Sequence, residues 1–450
     1  MAEGGSISRG RIFAALIALL GCACIPVARA EDLIDIYALA KANDPRYRAA
    51  RYEFEAASYA EPQARAALLP LVTAELSHTD TRQRIISSAN PVFALGQSQY
   101  PTENQTLSLT QPIFKLSAWR GYQQARSRVR QAAATFGAAE QDLMVRVATG
   151  YLSVLAAGDA VSFSIAERDA IRRQLDLVQQ RFSSGIAAIA NLHDARARSA
   201  LKDADLVAAQ NDFDDKVQAL RELTGRVTPA LKPLRDVIPL DQPSPSEMTH
   251  WVDTALQQNL LIEARRQAIE VAQQEISRQR ASHVPALDMV ANQNRRDTGG
   301  SLFGGGSNVE TTDLMFRLSI PIFAGGLPTA LTDEASKRYL VAVEELERDS
   351  RQLERQTRAA FQGVTGGIVR VQALAQGVTS SESARELKLE GFKAGIDTLL
   401  QVMDAERDVY AAKRDSARAR YDFLLNRLRL KQAVGTLSEA DLVTTNQLVQ

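Results

Sequence analysis

Residues 181–195 read RFSSGIAAIANLHDA, and residues 391–405, which lie 210 positions further on, read GFKAGIDTLLQVMDA. The two segments share a phenylalanine, a Gly-Ile step and an Asp-Ala pair at the same spacing. These positions are Phe182 and Phe392, Gly185 and Gly395, Ile186 and Ile396, Asp194-Ala195 and Asp404-Ala405. The same offset relates Gly225 to Gly435. An offset that persists over dozens of residues indicates that one structural unit is duplicated.

A second pair of similar segments lies upstream of the first in each copy. Residues 109–114 read LTQPIF and residues 318–323 read LSIPIF. Each half of the chain has the pattern of a helix, a strand, a loop, a strand, a very long helix, a tight turn and a further long helix. The predicted organisation is a signal peptide at 1–30, a first repeat at 31–227, a proline-rich linker at 228–246, a second repeat at 247–437 and a C-terminal tail at 438–450.

The first 30 residues have the features of a secretory signal peptide. Arg9 and Arg11 are basic, Ile12–Leu20 is apolar but too short to span a bilayer, and Ala28-Arg29-Ala30 is a small-x-small cleavage site. We expect the mature chain to begin near Glu31.

Both cysteines, Cys22 and Cys24, lie within this leader, so the mature chain is predicted to have no thiol chemistry. An alternative interpretation is a lipoprotein that is acylated at Cys22 within Leu19-Leu20-Gly21-Cys22. The cleavage site at Ala30 favours the signal peptide.

The composition argues against several classes of protein. Fifty-three basic residues balance 53 acidic ones, which gives no support to a nucleic-acid-binding function. Aromatic residues make up only 6% of the chain, which favours long helices with narrow contacts over an aromatic-filled core. Beyond the leader, no apolar run is predicted to span a membrane as a helix. The exported protein is therefore either soluble or a β-barrel of an outer membrane.

The predicted strands require more than one chain if they cross a membrane. Each copy supplies two strands, at about 71–80 and 104–111 in the first and at about 286–296 and 310–319 in the second. An open four-stranded sheet cannot stand in a bilayer, because its edges would leave backbone polar groups without partners. Two chains would provide eight strands and three would provide twelve, and this argument does not choose between them.

The predicted helices are too long for an ordinary globular domain. Lys115–Arg181 contains no proline, and a helix of this length spans roughly 100 Å. Each long helix is followed by a tip, near 183–188 in the first copy and near 391–398 in the second, and by a returning helix. Such helices are only partly apolar, so they must pack laterally as antiparallel hairpins. The predicted fold is mainly α with a small β part.

The ordered features of the two repeats resemble the TolC family of outer-membrane efflux and secretion channels. The features are Asn43-Asp44-Pro45, the two Pro-Ile-Phe strand exits, the Phe-x-x-Gly-Ile tips and the closing Val434-Gly435-Thr436-Leu437. The resemblance covers nearly the whole mature chain.

The resemblance implies a homotrimer in the outer membrane of a Gram-negative bacterium. Its strands would form a twelve-stranded β-barrel, and its helices would form a trimeric α-barrel tunnel through the periplasm. The implied partners are outer-membrane lipid, a periplasmic adaptor (membrane fusion) protein and an inner-membrane transporter, either an ABC exporter or a proton-driven pump.

Catalytic and cofactor-binding patterns are lacking in the sequence. The four histidines, His78, His193, His250 and His283, do not have the spacing of metal ligands. Gly304–Gly306 is not followed by the Lys-Ser/Thr of a phosphate-binding loop, so we interpret it as a flexible loop. We predict no catalytic, metal or cofactor site and a protein that is not an enzyme.

The resemblance also points to a pore constriction near the second tip, where acidic rings line the closed end of relatives. Asp404 lies at one such position, and Gln401 lies at a neighbouring one that is acidic in some relatives. Three copies of Asp404 around the axis would favour cations. Its repeat mate, Asp194, is included in the predicted constriction and gate region, with a structural role as the alternative.

A gate latch is the second expectation from the resemblance, since relatives hold their tips shut by polar links between the two hairpins. Asn191 and Asp397 lie at positions where an Asp and an Arg pair in relatives. That ion pair cannot form here, and we expect Asp397 to pair with Arg196 or another nearby arginine.

The tips themselves are the predicted adaptor contacts. Gly185-Ile186 and Gly395-Ile396 end the two hairpins, and their glycines permit a tight reversal of the chain. The simpler interpretation is that they are only turns.

The predicted function is a passive exit duct for type I secretion of polypeptides. The alternative is the outer-membrane component of a multidrug efflux pump. A periplasmic coiled-coil adaptor or scaffold fits less well, because it would have no membrane strands.

Overall fold

A computed structural model of the chain describes residues 30–87, 96–227, 230–301 and 305–449. The predicted leader, with Cys22 and most of the cleavage site, lies outside the described residues. So do parts of the predicted linker (228–229) and of the glycine-rich loop (302–304).

Within these ranges the two halves repeat one order of elements. The helices are α1 (Leu33–Asn43), α2 (Pro45–Ser58), α3 (Ala60–Ala66), α4 (Leu116–Ser183), α5 (Ile189–Thr224), α6 (Met248–Gln258), α7 (Leu260–Arg280), α8 (Leu327–Lys393), α9 (Leu399–Ala433) and α10 (Glu439–Asn446). The strands are β1 (Leu71–Ile85), β2 (Gly96–Phe114), β3 (Ala286–Thr298) and β4 (Ser307–Ser319).

The four strands form one antiparallel sheet in the order β1-β2-β3-β4. Leu109 of β2 lies opposite Val72 of β1 and Ala291 of β3, and Ala291 lies opposite Leu314 of β4. Strand side chains alternate between the two faces, so this row places four apolar residues on one face. Leu314 and Phe316 of β4 are exposed, each by more than 60%. Part of the sheet thus presents apolar surface that the chain itself does not cover.

The strands are longer than predicted, and β2 extends through residues expected to be a loop. It includes Pro101, which has no backbone N–H to donate. Pro101 lies opposite Asp80 of β1, whereas the pairing of β2 with β3 begins only at Thr102. A proline is tolerated at such an edge-like position because no partner strand needs its N–H on one side. Because proline is common in turns, Pro101 favoured the loop that was predicted between the first two strands.

The helical body consists of two antiparallel hairpins. The 68-residue α4 pairs with the 36-residue α5, and the 67-residue α8 pairs with the 35-residue α9. The hairpins meet where α4 packs against α9, and α7 packs between the other halves of α4 and α8. At about 1.5 Å per residue, α4 and α8 each span roughly 100 Å. The prediction of long lateral hairpins is confirmed.

Each repeat begins with short helices that are separated by breaks. Asp44 caps α2, which has Pro45 in its first turn. The Asp44 side chain accepts from Tyr47 N at 3.1 Å and from Arg146 at 2.6 Å. A break between α6 and α7 was not predicted. Asn259 caps α7 there, and its amide also donates to the Ala433 carbonyl at 2.9 Å. No proline follows Asn259, whereas Pro45 follows Asp44. The sequence therefore gave no sign of a helix break at this junction.

The main core lies at the middle of the long helices rather than at their ends. Tyr151 and Leu152 of α4 and Phe423 of α9 are almost fully buried there, together with Leu33 of α1 and Leu442 of α10. The predicted tail thus contains a helix that packs into this core. The linker also takes part, because Tyr151 donates to the Lys232 carbonyl at 2.8 Å.

One described helix, α4, contains a stretch long and apolar enough to cross a membrane by length and composition alone. The sequence-based expectation had excluded any such stretch. Of that stretch, 44% is buried inside the structure, and α4 supplies much of the main core. Its apolar character therefore fits packing against neighbouring helices.

Candidate functional site

The two hairpin tips share one backbone geometry. Ile186 N donates to the Arg181 carbonyl and Ile396 N donates to the Gly391 carbonyl, both at 2.8 Å. Gly185 has a φ of 77° and Gly395 a φ of 78°. This is the glycine-terminated helix end in which a left-handed residue lets the chain reverse. A side chain on either glycine would meet no neighbour, so the backbone angle alone explains the residue type.

Each tip exposes an isoleucine to solvent. Ile186 is 74% exposed and Ile396 is 82% exposed. Both predicted docking residues therefore end their hairpins as unpartnered apolar surface, and neither is required by packing within the described residues.

The starts of the returning helices differ between the tips. Thr398 and Gln401 form a capping box at α9, in which Gln401 Oε1 accepts from Thr398 N at 2.7 Å. The corresponding Ala188 provides no side-chain cap for α5. Gln401, predicted at the constriction, thus has a local role in ordering the second tip.

Asp397 does not pair with Arg196, and that expectation was wrong. Its carboxylate lies 2.8 Å from Lys388 Nζ, within the same hairpin. The fold permits this because residue 391 is glycine, and a Cβ there would overlap Asp397 Oδ2. Asp397 therefore stabilises the second tip internally and does not link the two hairpins.

Asp404 does join the hairpins. Its Oδ1 lies 2.8 Å from the Arg198 guanidinium of α5 and 3.6 Å from that of Arg407. The other two predicted gate residues, Asn191 and Asp194, are exposed in the first turns of α5. Asp194 and Arg198 line a cavity of about 610 Å³ between α4, α5 and α9. The five predicted gate residues thus do not form one cluster.

Two cross-hairpin contacts were not predicted. The Arg181 guanidinium lies 4.4 Å from the centre of the Phe392 ring, in cation–π geometry. Further from the tips, Glu167 of α4 contacts Lys202 of α5 at 2.9 Å and Arg414 of α9 at 2.8 Å. We call these three residues the Glu167 hub. The sequence does contain one feature that could have indicated both contacts, which is a difference between the two repeats. Arg181 and Glu167 of the first copy correspond to Gly391 and Gly377 of the second under the 210-residue offset.

The Glu167 hub is centred on a buried carboxylate. Glu167 is only 2% exposed. A second buried carboxylate, Glu406, lies on α9 and is 8% exposed. The Arg385 guanidinium is 3.9 Å from it. Burial raises the pKa of Glu406, because removal from water disfavours its charged form. Between this level and the tips lies a small apolar cluster that includes Ile171, Leu192 and Met403.

No group of three or more possible metal ligands occurs in the part of the chain that the structure describes. Two further cavities in the described part of the chain are clefts between helices, lined mostly by glutamine, arginine and alanine. The arrangement can therefore hold two hairpins together and expose their ends.

Comparisons with known proteins agree with this architecture. The sequence model of the outer membrane efflux protein family matches residues 36–226 and 251–436, in two segments that follow the repeats. The chain is 33% identical to the outer membrane protein TolC of Vibrio cholerae over 423 residues, covering 93% of each chain.

Two further relatives have names that point to different cargo. The alkaline protease secretion protein AprF of Pseudomonas aeruginosa is 29% identical, over 92% of this chain and 86% of its own. The toluene efflux pump outer membrane protein TtgF of Pseudomonas putida is 26% identical, over 82% of this chain and 76% of its own.

The fold also matches solved structures. The outer membrane protein VceC of Vibrio cholerae superposes with a TM-score of 0.76 at 20% identity, covering 90% of this chain and 96% of that one. The fold class predicted from the repeats is confirmed by this match.

Proposed function

The chain belongs to the outer membrane efflux protein family, and on this premise we propose that it is the outer-membrane exit duct of a tripartite export system for type I secretion of polypeptides. Members of this family are passive channels of the outer membrane and are not enzymes. They act as homotrimers in three-component systems. Energy for export comes from the transporter partner.

The proposal of a polypeptide cargo is supported by how much of the chain aligns with a secretion protein. AprF, named for alkaline protease secretion, aligns over 92% of this chain, whereas TtgF, named for toluene efflux, aligns over 82% at lower identity. The difference favours a polypeptide cargo. Multidrug efflux is the alternative, because TtgF, which is named for a toluene efflux pump, also aligns over most of this chain.

The sheet supports assembly from three chains. β1 and β4 are its edges, and each has one paired neighbour within the chain. In a membrane both edges need further partners, which a second copy supplies by pairing its β1 with β4. Three chains with four strands each close a twelve-stranded barrel, and the exposed apolar row around Leu314 then faces lipid.

The tips support docking at the opposite end of the molecule. Ile186 and Ile396 are the outermost apolar side chains of the hairpins and are mostly exposed. A periplasmic adaptor that covers them would bury apolar surface at low cost, because the tip backbone is already ordered by its glycine turns. We infer that the adaptor links these tips to an ABC exporter in the inner membrane.

Deletion of the gene in its native host tests the cargo. We expect at least one polypeptide to disappear from the culture medium and to accumulate in the cells, while sensitivity to toluene, dyes and antibiotics stays unchanged. Complementation with the full chain should restore secretion. Increased drug sensitivity with normal secretion would instead establish the efflux alternative.

The docking role of the tips is tested by placing a charge on both isoleucines. In the double variant Ile186→Asp/Ile396→Asp, we expect export to fall to the level of the deletion strain, because a desolvated carboxylate opposes docking. The amount of heat-sensitive trimer in the outer membrane should not change.

The matched control is Val237→Asp, since Val237 is 85% exposed but lies in the linker far from the tips. We expect this control to export normally. Normal export by the double tip variant would refute docking at these residues.

A further inference from the structure

The carboxylate at the inferred constriction is already neutralised by an arginine of the same chain. Asp404 of α9 and Arg198 of α5 are 2.8 Å apart, and their side chains are 37% and 30% exposed. The pair lies near the beginning of both returning helices, since Asp404 is the sixth residue of α9 and Arg198 is the tenth of α5. It is thus open to solvent and close to the end of the duct.

Two further acids near the second tip also lie in ion pairs. Asp408 lies 2.9 Å from Arg407, and Asp397 lies 2.8 Å from Lys388. Gln401, at the second ring position, is uncharged and is held in the α9 cap.

The cavities that flank α9 give the same balance. The charged residues that line the two cavities are four acids and four bases: Asp194, Asp205, Asp404 and Asp408 against Arg198, Lys202, Arg407 and Lys388. Three of these acids lie in ion pairs, Asp404 with Arg198, Asp205 with Lys202 and Asp408 with Arg407.

An ion pair acts on passing ions very differently from a lone carboxylate. Three unpaired carboxylates around an axis would create a negative field that attracts cations and repels anions. A carboxylate with a guanidinium at 2.8 Å is a dipole, whose field falls off faster with distance and is further screened by salt.

We propose that Arg198 sets the ion selectivity of the duct by neutralising Asp404, so that the closed end discriminates little between small cations and small anions. This inference rests on the proposed function, because it places Asp404 on the conducting path. It departs from the acidic ring that the resemblance implies. Arg198 corresponds to Asp408 in the second repeat, so the basic residue is a feature of the first hairpin alone.

The pair is suited to a test by substitution. Half-exposed ion pairs contribute little to stability, so removal of one partner should leave the fold and the assembly intact. The probe is KCl, and the measurement is the reversal potential of the purified full-length protein in planar bilayers across a KCl gradient.

We expect the wild-type protein to show nearly equal permeabilities for K⁺ and Cl⁻. Arg198→Gln exposes Asp404 and should raise the ratio of K⁺ to Cl⁻ permeability several-fold. Asp404→Asn leaves Arg198 unopposed and should shift the ratio in the opposite direction. The double variant Arg198→Gln/Asp404→Asn should return close to wild type.

Arg172→Gln is the matched control. Arg172 lies 2.7 Å from Asp203, and this α4–α5 pair is also open to solvent but lies further from the tips. We expect its selectivity to equal that of the wild type.

Strong cation selectivity of the wild-type protein would overturn the inference. So would an unchanged ratio in both Arg198→Gln and Asp404→Asn. These outcomes require a conducting protein, so they are distinct from failure of the proposed function. The absence of any conductance would overturn the duct and this inference together.

Discussion

Gly435→Ala is expected to prevent most of the protein from reaching the outer membrane, whereas Gly225→Ala, at the equivalent position of the first repeat, should be tolerated. Both glycines end a returning helix, and both have a φ of 75°. An alanine in this left-handed conformation costs about 1–2 kcal/mol at either site. The expected difference between the variants therefore arises from their surroundings.

The surroundings of Gly435 leave no room for a side chain. A Cβ there would overlap the Gln258 carbonyl oxygen and would lie 2.9 Å from its carbon. These are backbone atoms of the α6–α7 junction, which is also tied to α9 by the bond from Asn259 to the Ala433 carbonyl. At Gly225 the nearest atom to a Cβ is the Asn43 side chain, at 3.4 Å.

The overlap at Gly435 adds about 1–3 kcal/mol of strain, so the total loss is a large part of the stability of an ordinary domain. The measurement is the yield of heat-sensitive trimer in purified outer membranes, with the thermal midpoint of whatever assembles. Equal yields of the two variants would show that the α6–α7 junction can move away, contrary to the packing described here.

Much of the architecture could be predicted from the duplicated sequence. The two Phe-x-x-Gly-Ile segments predicted both tips, and their turns are identical in hydrogen bonding and in glycine conformation. The absence of proline from Lys115 to Arg181 predicted the long helix α4. These features depend on residues that are near one another in sequence, where turn and helix preferences act directly.

The contacts between the hairpins could not be predicted in the same way. Arg198 and Asp404 are 206 positions apart, and Glu167 and Arg414 are 247 positions apart. A repeat identifies equivalent positions, but it does not show which faces meet when the two units pack. Asp404 was identified through its resemblance to an acidic ring, and its neutralising partner became visible only in the packed structure.

The wrong partner was predicted for Asp397 for a similar reason. An aspartate at a tip can pair across the hairpins or within its own, and charge alone does not decide between them. Gly391 decides, because it leaves space for the carboxylate to fold back toward Lys388. The corresponding residue of the first copy is Arg181, which instead extends over Phe392.

Glu167→Gln is expected to loosen the association of the two hairpins and to raise the conductance of the closed duct. The Glu167 hub joins α4, α5 and α9, and it lies about 24 Å from the tip end of α4. Glutamine keeps the size of the side chain but leaves two basic residues without their shared counter-charge. Removal of one partner of a buried pair costs about 3–5 kcal/mol.

We expect a loss near the lower end of that range. Lys202 retains Asp205 at 2.9 Å, and the Arg414 side chain is 31% exposed, so both cations keep some stabilisation. The loss falls on the interface between the hairpins. Closer to the tips, this interface contains a small apolar cluster and the contacts of Asp404 and Phe392. The tips should therefore separate more often, while the main core stays folded.

The matched control is Glu382→Gln. Glu382 lies 2.7 Å from Lys413, so the variant makes the same chemical change near this level but within the second hairpin. Single-channel conductance in planar bilayers should rise several-fold in Glu167→Gln and stay unchanged in Glu382→Gln. Far-ultraviolet circular dichroism should be the same for both, which separates loosening from unfolding.

Replacing both Glu167 and Arg414 by apolar residues provides the reverse test. In Glu167→Met/Arg414→Met, no buried charge is left without its partner, because Lys202 still has Asp205. Apolar replacements of buried ion pairs are often neutral or stabilising, so conductance should return toward the wild-type value. If Glu167→Gln conducts like Glu382→Gln, the hub does not restrain the hairpins. If the methionine pair conducts as much as Glu167→Gln, the loss of ionic contact itself, rather than an unpaired charge, separates the tips.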